Sequence, residues 1–284
     1  MKSKPGLLLL PLVLLLLYWY FTRPHAAGEV SQPPAQAQRK PTAVDAWLAA
    51  PVAMRLAAEP EPGVPLPLQI ERMMVAKGPT GAYLAYLLVT HCVNFAQNAD
   101  MQRFDIKEAS HFRSLTAAEH KEMTELCSGM TERIKTSRFE HLALAAKAGV
   151  PGAAVEFLHE GPFGDPSALK TRPDDPLVVA WRQQAAQQLV AGVEAGDFAS
   201  SITLMNQYSL GDKLAADPAL ALRFTKTTSL LFAQIQRGAG NPDLVNVFEE
   251  FVERAKVGLT AEQIAAELAA GKALVDKAAE LNKP

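Results

Sequence analysis

The sequence predicts an all-α body of antiparallel helical hairpins stacked as a short solenoid, after an N-terminal membrane segment and a proline-rich linker. Three observations carry this expectation. From about residue 69 onward, apolar residues recur at spacings of three and four, which puts them on one face of a helix. Asp175-Pro176 and Asp217-Pro218 each place a side-chain acceptor before a residue already at helical φ, an N-cap with proline in the first helical position. No alternating β-branched run, the mark of a half-buried strand, interrupts the folded region.

The two Asp-Pro pairs belong to imperfect copies of one pattern. The first copy runs Ala145-Ala146-Lys147-Ala148-Gly149, then Ala153-Ala154, Phe157 and Leu158, a loop closed by Gly161, and Asp174-Asp175-Pro176 with Trp181. The second has Glu194-Ala195-Gly196-Asp197, then Ala199, Leu204, Met205 and Tyr208, a loop closed by Gly211, and Asp217-Pro218 with Ala221 and Phe224. Gly149 to Gly196 spans 47 positions and Asp174 to Asp217 spans 43, so the first copy carries the longer loop. In the second helix of each copy the expected core stripes are Leu177, Trp181, Ala185, Leu189 and Leu220, Phe224, Thr228, Leu231. Hairpins of this length bury such faces by stacking on neighbours.

At these residues the chain resembles the SEL-one-like class of tetratricopeptide-related repeats, over roughly residues 138–231. Thr228-Ser229 depart from the pattern where two alanines are expected, and Val178 stands where the second copy has Ala221. The resemblance implies a fold and is weak evidence for any one activity.

Taken in order, residues 1–22 pair Lys2 and Lys4 with an apolar run ending in Tyr18-Trp19-Tyr20, and read as a signal-anchor or a signal peptide. As an anchor the run implies a single-pass inner-membrane protein with a periplasmic body; after cleavage the body would be periplasmic or secreted. Residues 23–68 form a Pro/Ala-rich linker in which Val44, Trp47, Leu48, Met54 and Leu56 suit short helical turns, either a strap on the domain or a docking peptide. Residues 69–137 should form an N-terminal helical pair. Its first helix is apolar from Tyr83 to Phe95; its second is capped by Thr116 with Glu119 and carries Met123, Leu126, Cys127, Met130 and Ile134 on one face. Residues 138–240 hold the repeats. Residues 241–284 should add two capping helices, one opened by Asn241-Pro242 and bearing Leu244, Val247, Phe248 and Phe251, the other opened by Thr260 with Gln263.

A net charge of −2 gives no basic field for phosphate backbones, so nucleic acid is not an expected partner. Cys92 and Cys127 are the only cysteines, and their separation excludes a C-x-x-C motif; an exported chain points to a disulfide, the alternative being two separate buried thiols. His91, His111, His120, His141 and His159 lack ligand spacing, Ser128-Gly129 is expected in mid-helix, and Gly271-Lys272 has no phosphate-loop context. No catalytic residue, metal or cofactor is therefore assigned. The candidate contact residues are Asn206 and Gln207, expected on the inner face of the stack, and Phe163, in the loop Glu160-Gly161-Pro162-Phe163-Gly164-Asp165. The leading expectation is a protein-interaction scaffold facing the cell envelope, with a protein or peptide partner. The alternative is an envelope hydrolase of cell-wall type whose carboxylates gather in the repeat groove.

Overall fold

The computed structural model describes residues 60–61, 63–97, 102–104, 112–238, 244 and 246–282. The membrane segment, most of the linker, His111 and the Asn241-Pro242 cap lie outside the described residues. Among the described residues the body is helical, apart from one antiparallel ribbon in which β1 (Gln102–Phe104) pairs with β2 (Phe112–Ser114), Gln102 opposite Ser114. No described helix is long and apolar enough to cross a membrane.

The first helix, α1 (Leu66–Gln97), is two arms. Gly78 sits at φ 52° and ψ −127°, a conformation open to glycine, and Pro79 follows it. The arms then fold together so tightly that a Cβ on Gly81 would lie 1.8 Å from the Met73 carbonyl oxygen. Gln69, fully buried, ties the incoming chain to the first arm. Its Oε1 accepts from Glu61 N–H at 3.0 Å, and its Nε2 donates to the carbonyls of Glu61 at 3.0 Å and Val64 at 2.7 Å.

Beyond the ribbon come α2 (Ala117–Cys127), α3 (Glu132–Lys147), α4 (Ala153–Glu160), a 3-10 turn at Pro162–Gly164 and the short α5 (Ala168–Thr171). They are followed by α6 (Pro176–Glu194), α7 (Phe198–Leu210), α8 (Pro218–Gly238), α9 (Glu249–Ala255) and α10 (Ala261–Leu281). Packing follows chain order for most of the body: α1 on α3, α3 on α4, α4 on α6 and α7, α6 on α7, α7 on α8. Helix α10 then returns across α8 to reach α6. One core runs through these elements, from Tyr83 and Tyr86 through Leu142, Leu158, Trp181 and Leu204 to Phe224. Each fully buried leucine there contributes roughly 1.5–3 kcal/mol by leaving water.

The expected copies have matching backbone geometry at their helix junctions. Where α3 ends, Val150 N–H donates to Ala145 C=O and Gly149 N–H to Ala146 C=O; where α6 ends, Asp197 N–H donates to Gly192 C=O and Gly196 N–H to Val193 C=O. Both are Schellman closures, with Gly149 and Gly196 at φ 71° and 93°. The partner helices also start alike: the Asp175 carboxylate accepts from Leu177 N–H, and the Asp217 carboxylate from Ala219 and Leu220 N–H.

Cys92 and Cys127 are bonded, with Cα atoms 5.4 Å apart, and join α1 to α2 beside Leu66, Leu88, Met123 and Leu126. Both capping boxes form, at Thr116 with Glu119 and at Thr260 with Gln263.

Three details differ from the sequence reading. Met123 to Ile134 is not one helical face: α2 stops at Cys127, Ser128-Gly129 lie in a turn, and Thr131 caps α3 by accepting from Ile134 N–H. The buried stripe of α6 starts at Val178, three residues before Trp181, while Leu177 is 63% exposed. Within the apolar run Leu244 to Ala255, residues 246–248 form turns and the α-helix begins at Glu249.

Candidate functional site

Phe163 is an exposed aromatic residue at one end of the stack, and the contacts of the glycines on either side of it hold it outward. Gly161 at φ 79° turns the chain out of α4, where a Cβ would meet Pro166 backbone at 2.6 Å. Pro162 is buried and begins the 3-10 turn. Gly164 lies so close to the Phe139 ring that a Cβ would sit 2.0 Å from it. Between these anchors Phe163 takes φ 57°, the only positive φ of a non-glycine described residue, and the residue is 63% exposed. A bulky residue in that region costs roughly 1–2 kcal/mol. Asp165 closes the loop, its carboxylate accepting from Ser167 N–H at 3.0 Å and Ser167 Oγ at 2.5 Å; the Ser167 hydroxyl bond, ahead of the nearby Arg172, holds that carboxyl below its ordinary range.

Behind the loop lies a charged brace that joins four parts of the chain. Glu160, at the end of α4, accepts from Tyr86 Oη at 2.9 Å and faces Arg138 Nη2 at 3.6 Å. Arg138 also donates to Lys135 C=O at 2.8 Å, and its guanidinium lies 3.9 Å from the Phe139 ring centre. Lys213, in the loop after α7, donates to His159 C=O at 3.0 Å and thereby sets that loop beside the end of α4. Burial pushes the Tyr86 phenol up, helped by Glu156 and Glu160, so it stays protonated and works as a donor. Burial pushes the Lys213 ammonium down, against the carboxylates of Asp212, Glu160 and Glu156.

Asn206 and Gln207 separate in role. Asn206 is exposed on α7. Gln207 is half-buried, and its Oε1 accepts from Lys213 N–H at 2.9 Å and Leu214 N–H at 3.2 Å, so the amide expected to read a partner is engaged in holding its own loop. The coupling of Gln207 to Leu214 and of Phe139 to Gly164 was not visible as local sequence signal. Nor was the Tyr86–Glu160 bond, whose partners stand 74 residues apart. Leu177 and Leu210, 63% and 59% exposed, lie at the start of α6 and the end of α7, the elements flanking the Phe163 turn and the Lys213 loop.

Three carboxylates gather in this site, since Glu156, Glu160 and Asp212 all act on the Lys213 ammonium. Burial holds the Asp197 carboxyl above its ordinary range; its carboxylate accepts from Ala199 N–H at 3.0 Å and Ser200 Oγ at 2.5 Å, which makes it the cap of α7. Among the described residues no three His, Cys, Asp or Glu side chains are grouped so as to hold a metal ion. Compared with protein-family models, curated proteins and solved structures, the chain gives no significant match.

Proposed function

We propose that this chain is a SEL-one-like helical-repeat scaffold, held to the outer side of a cytoplasmic membrane by residues 1–22, that binds a protein or peptide at the loop end of its stacked hairpins. The carrying observation is Phe163. An aromatic ring held outward at positive φ, on a loop fixed by Phe139 and Pro166, costs stability and presents a preorganised apolar anchor. Leu177 and Leu210 extend the apolar character of that end, and Asn206 on α7 adds an amide for polar readout. The matching helix junctions at Gly149 and Gly196 support a repeat reading of the two hairpins.

Photocross-linking in intact cells tests the binding reading. With a photoreactive residue in place of Asn206 in the full chain, a discrete partner adduct is expected. Phe163→Ala should remove that adduct and leave thermal unfolding unchanged, because alanine keeps the Cβ that strains this φ. An adduct that persists in a folded Phe163→Ala protein would exclude this end as the binding face. Topology is tested separately: alkaline phosphatase fused after Pro284 should be active, and an inactive fusion would overturn the external placement.

A further inference from the structure

We propose that the Cys92–Cys127 disulfide is a reversible switch, opened from Cys127 by an external dithiol, that releases α2 from the body while the stacked helices stay folded. The bond lies in a small core of its own. Leu66, Leu88, Cys92, Met123 and Leu126 form one buried cluster, separate from the cluster that runs from Tyr83 to Phe224. Helix α2 packs on α1 and gives that small core Met123 and Leu126, besides a contact of the His120 and Phe95 rings at 5.0 Å. Several of its polar groups bond within the helix and its cap: Lys121 meets Glu125, Thr124 donates to His120 C=O, and Ser128 donates to Glu125 C=O. The next helix does not lean on α2 for its start, because Thr131 caps α3 by accepting from Ile134 N–H. Few apolar contacts on one side and a self-capped helix on the other mark a boundary at which local opening can stop.

The two sulfurs differ in access. Cys92 is 1% exposed, whereas Cys127 is half-buried and ends α2. Its neighbours Leu126, Ser128 and Gly129 line a groove of about 680 Å³, with Val64, Pro65 and Leu66 opposite, which is room enough to admit a thiol beside Cys127. A thiolate arriving there bonds to Cys127 Sγ as the Cys127–Cys92 bond breaks, and Cys92 leaves as a thiolate that takes up a proton. The reagent's second thiolate then attacks the reagent's own sulfur in the mixed disulfide and releases Cys127. Two electrons and two protons pass to the protein, both cysteines end as thiols, and the dithiol departs as a disulfide. Without the cross-link, α2 leaves and uncovers Leu66, Leu88 and Cys92; a disulfide of the same class reverses the steps. This inference does not depend on the partner-binding reading above.

The test uses the full chain in detergent micelles without denaturant. Reduced glutathione serves as a monothiol probe, and early samples are quenched with N-ethylmaleimide. Peptide mass spectra should show glutathione on Cys127 and maleimide on Cys92. With dithiothreitol instead, amide protection should be lost in Ala117–Cys127 and kept in α6, α7 and α8, and reoxidation by oxidised dithiothreitol should restore it. Early glutathione on Cys92, or equally on both cysteines, would overturn the proposal. So would a bond that opens only in urea, α2 protection unchanged by reduction, protection lost across all helices, or protection that fails to return on reoxidation.

Discussion

Single residues set how closely the helices of this body approach. Gly192 on α6 faces Ser200 on α7, and a Cβ there would lie 2.6 Å from Ser200 Oγ. In the first copy the positions 47 residues earlier are Ala145 and Ala153, both fully buried, so one copy uses two alanines and the other a glycine with a serine. Gly192→Ala alone should therefore destabilise by about 1–3 kcal/mol through overpacking. Gly192→Ala with Ser200→Ala recreates the first copy's pair and should recover part of that loss, although it also removes a donor to Asp197. Urea denaturation of the three variants measures the coupling. Asp197 itself is a second test: Asp197→Ala should cost about 1–2 kcal/mol as a lost cap, and Asp197→Asn clearly less, because its amide can still accept from Ala199 N–H and donate to Ser200.

Elements are held in register by a few long-range ties. The disulfide closes a 35-residue separation that contains the ribbon, and such a loop is worth about 3–4 kcal/mol on the chain-entropy account. Reduction, or Cys92→Ala with Cys127→Ala, should lower the melting temperature and raise amide exchange first in α2, which otherwise meets the body through Met123 and Leu126. Exchange rising uniformly over all helices would show that α2 is no separate unit. At the other end, α10 is fixed by the Arg223–Glu267 pair at 2.7 Å, by Lys277 with Glu194 at 2.8 Å, and by a crossing so close that a Cβ on Gly271 would lie 2.7 Å from Arg223 C=O.

At the scale of the whole molecule, acid sensitivity is expected to enter through α3. Burial holds the His141 imidazole below its ordinary value, with Glu140 pulling the other way. A group whose folded pKa is depressed stabilises the fold above its unfolded pKa, and that contribution is lost as pH falls through the folded value. Stability should therefore decline as pH drops below about 6.5, and His141→Gln should flatten the decline. Glu249, held down by Ser229 Oγ at 2.8 Å and by Lys226, adds a further loss in more acidic solution. Melting temperatures taken from pH 8 to pH 4 test both windows, and a His141→Gln profile that parallels the parent's would contradict the first.

Local chemistry was legible in the sequence because local rules govern it. The Asp-Pro caps, both capping boxes, the Gly161 and Gly211 closures and the helical class follow from residues a few positions apart. Two cysteines in a chain expected to be exported also pointed to their pairing, which the 5.4 Å Cα separation bears out. Facing was harder to read: Leu177 and Val178 are both apolar, and only packing against α4 and α7 selects Val178 for the core. The break between α2 and α3 was hidden because Met123 to Ile134 keeps helical apolar spacing across a turn. Tertiary structure alone decided the rest. The Tyr86–Glu160 bond, the seat of Lys213 on His159 and the outward turn of Phe163 each depend on residues that become neighbours only once the helices stack, and no periodicity along the chain encodes a distance across it.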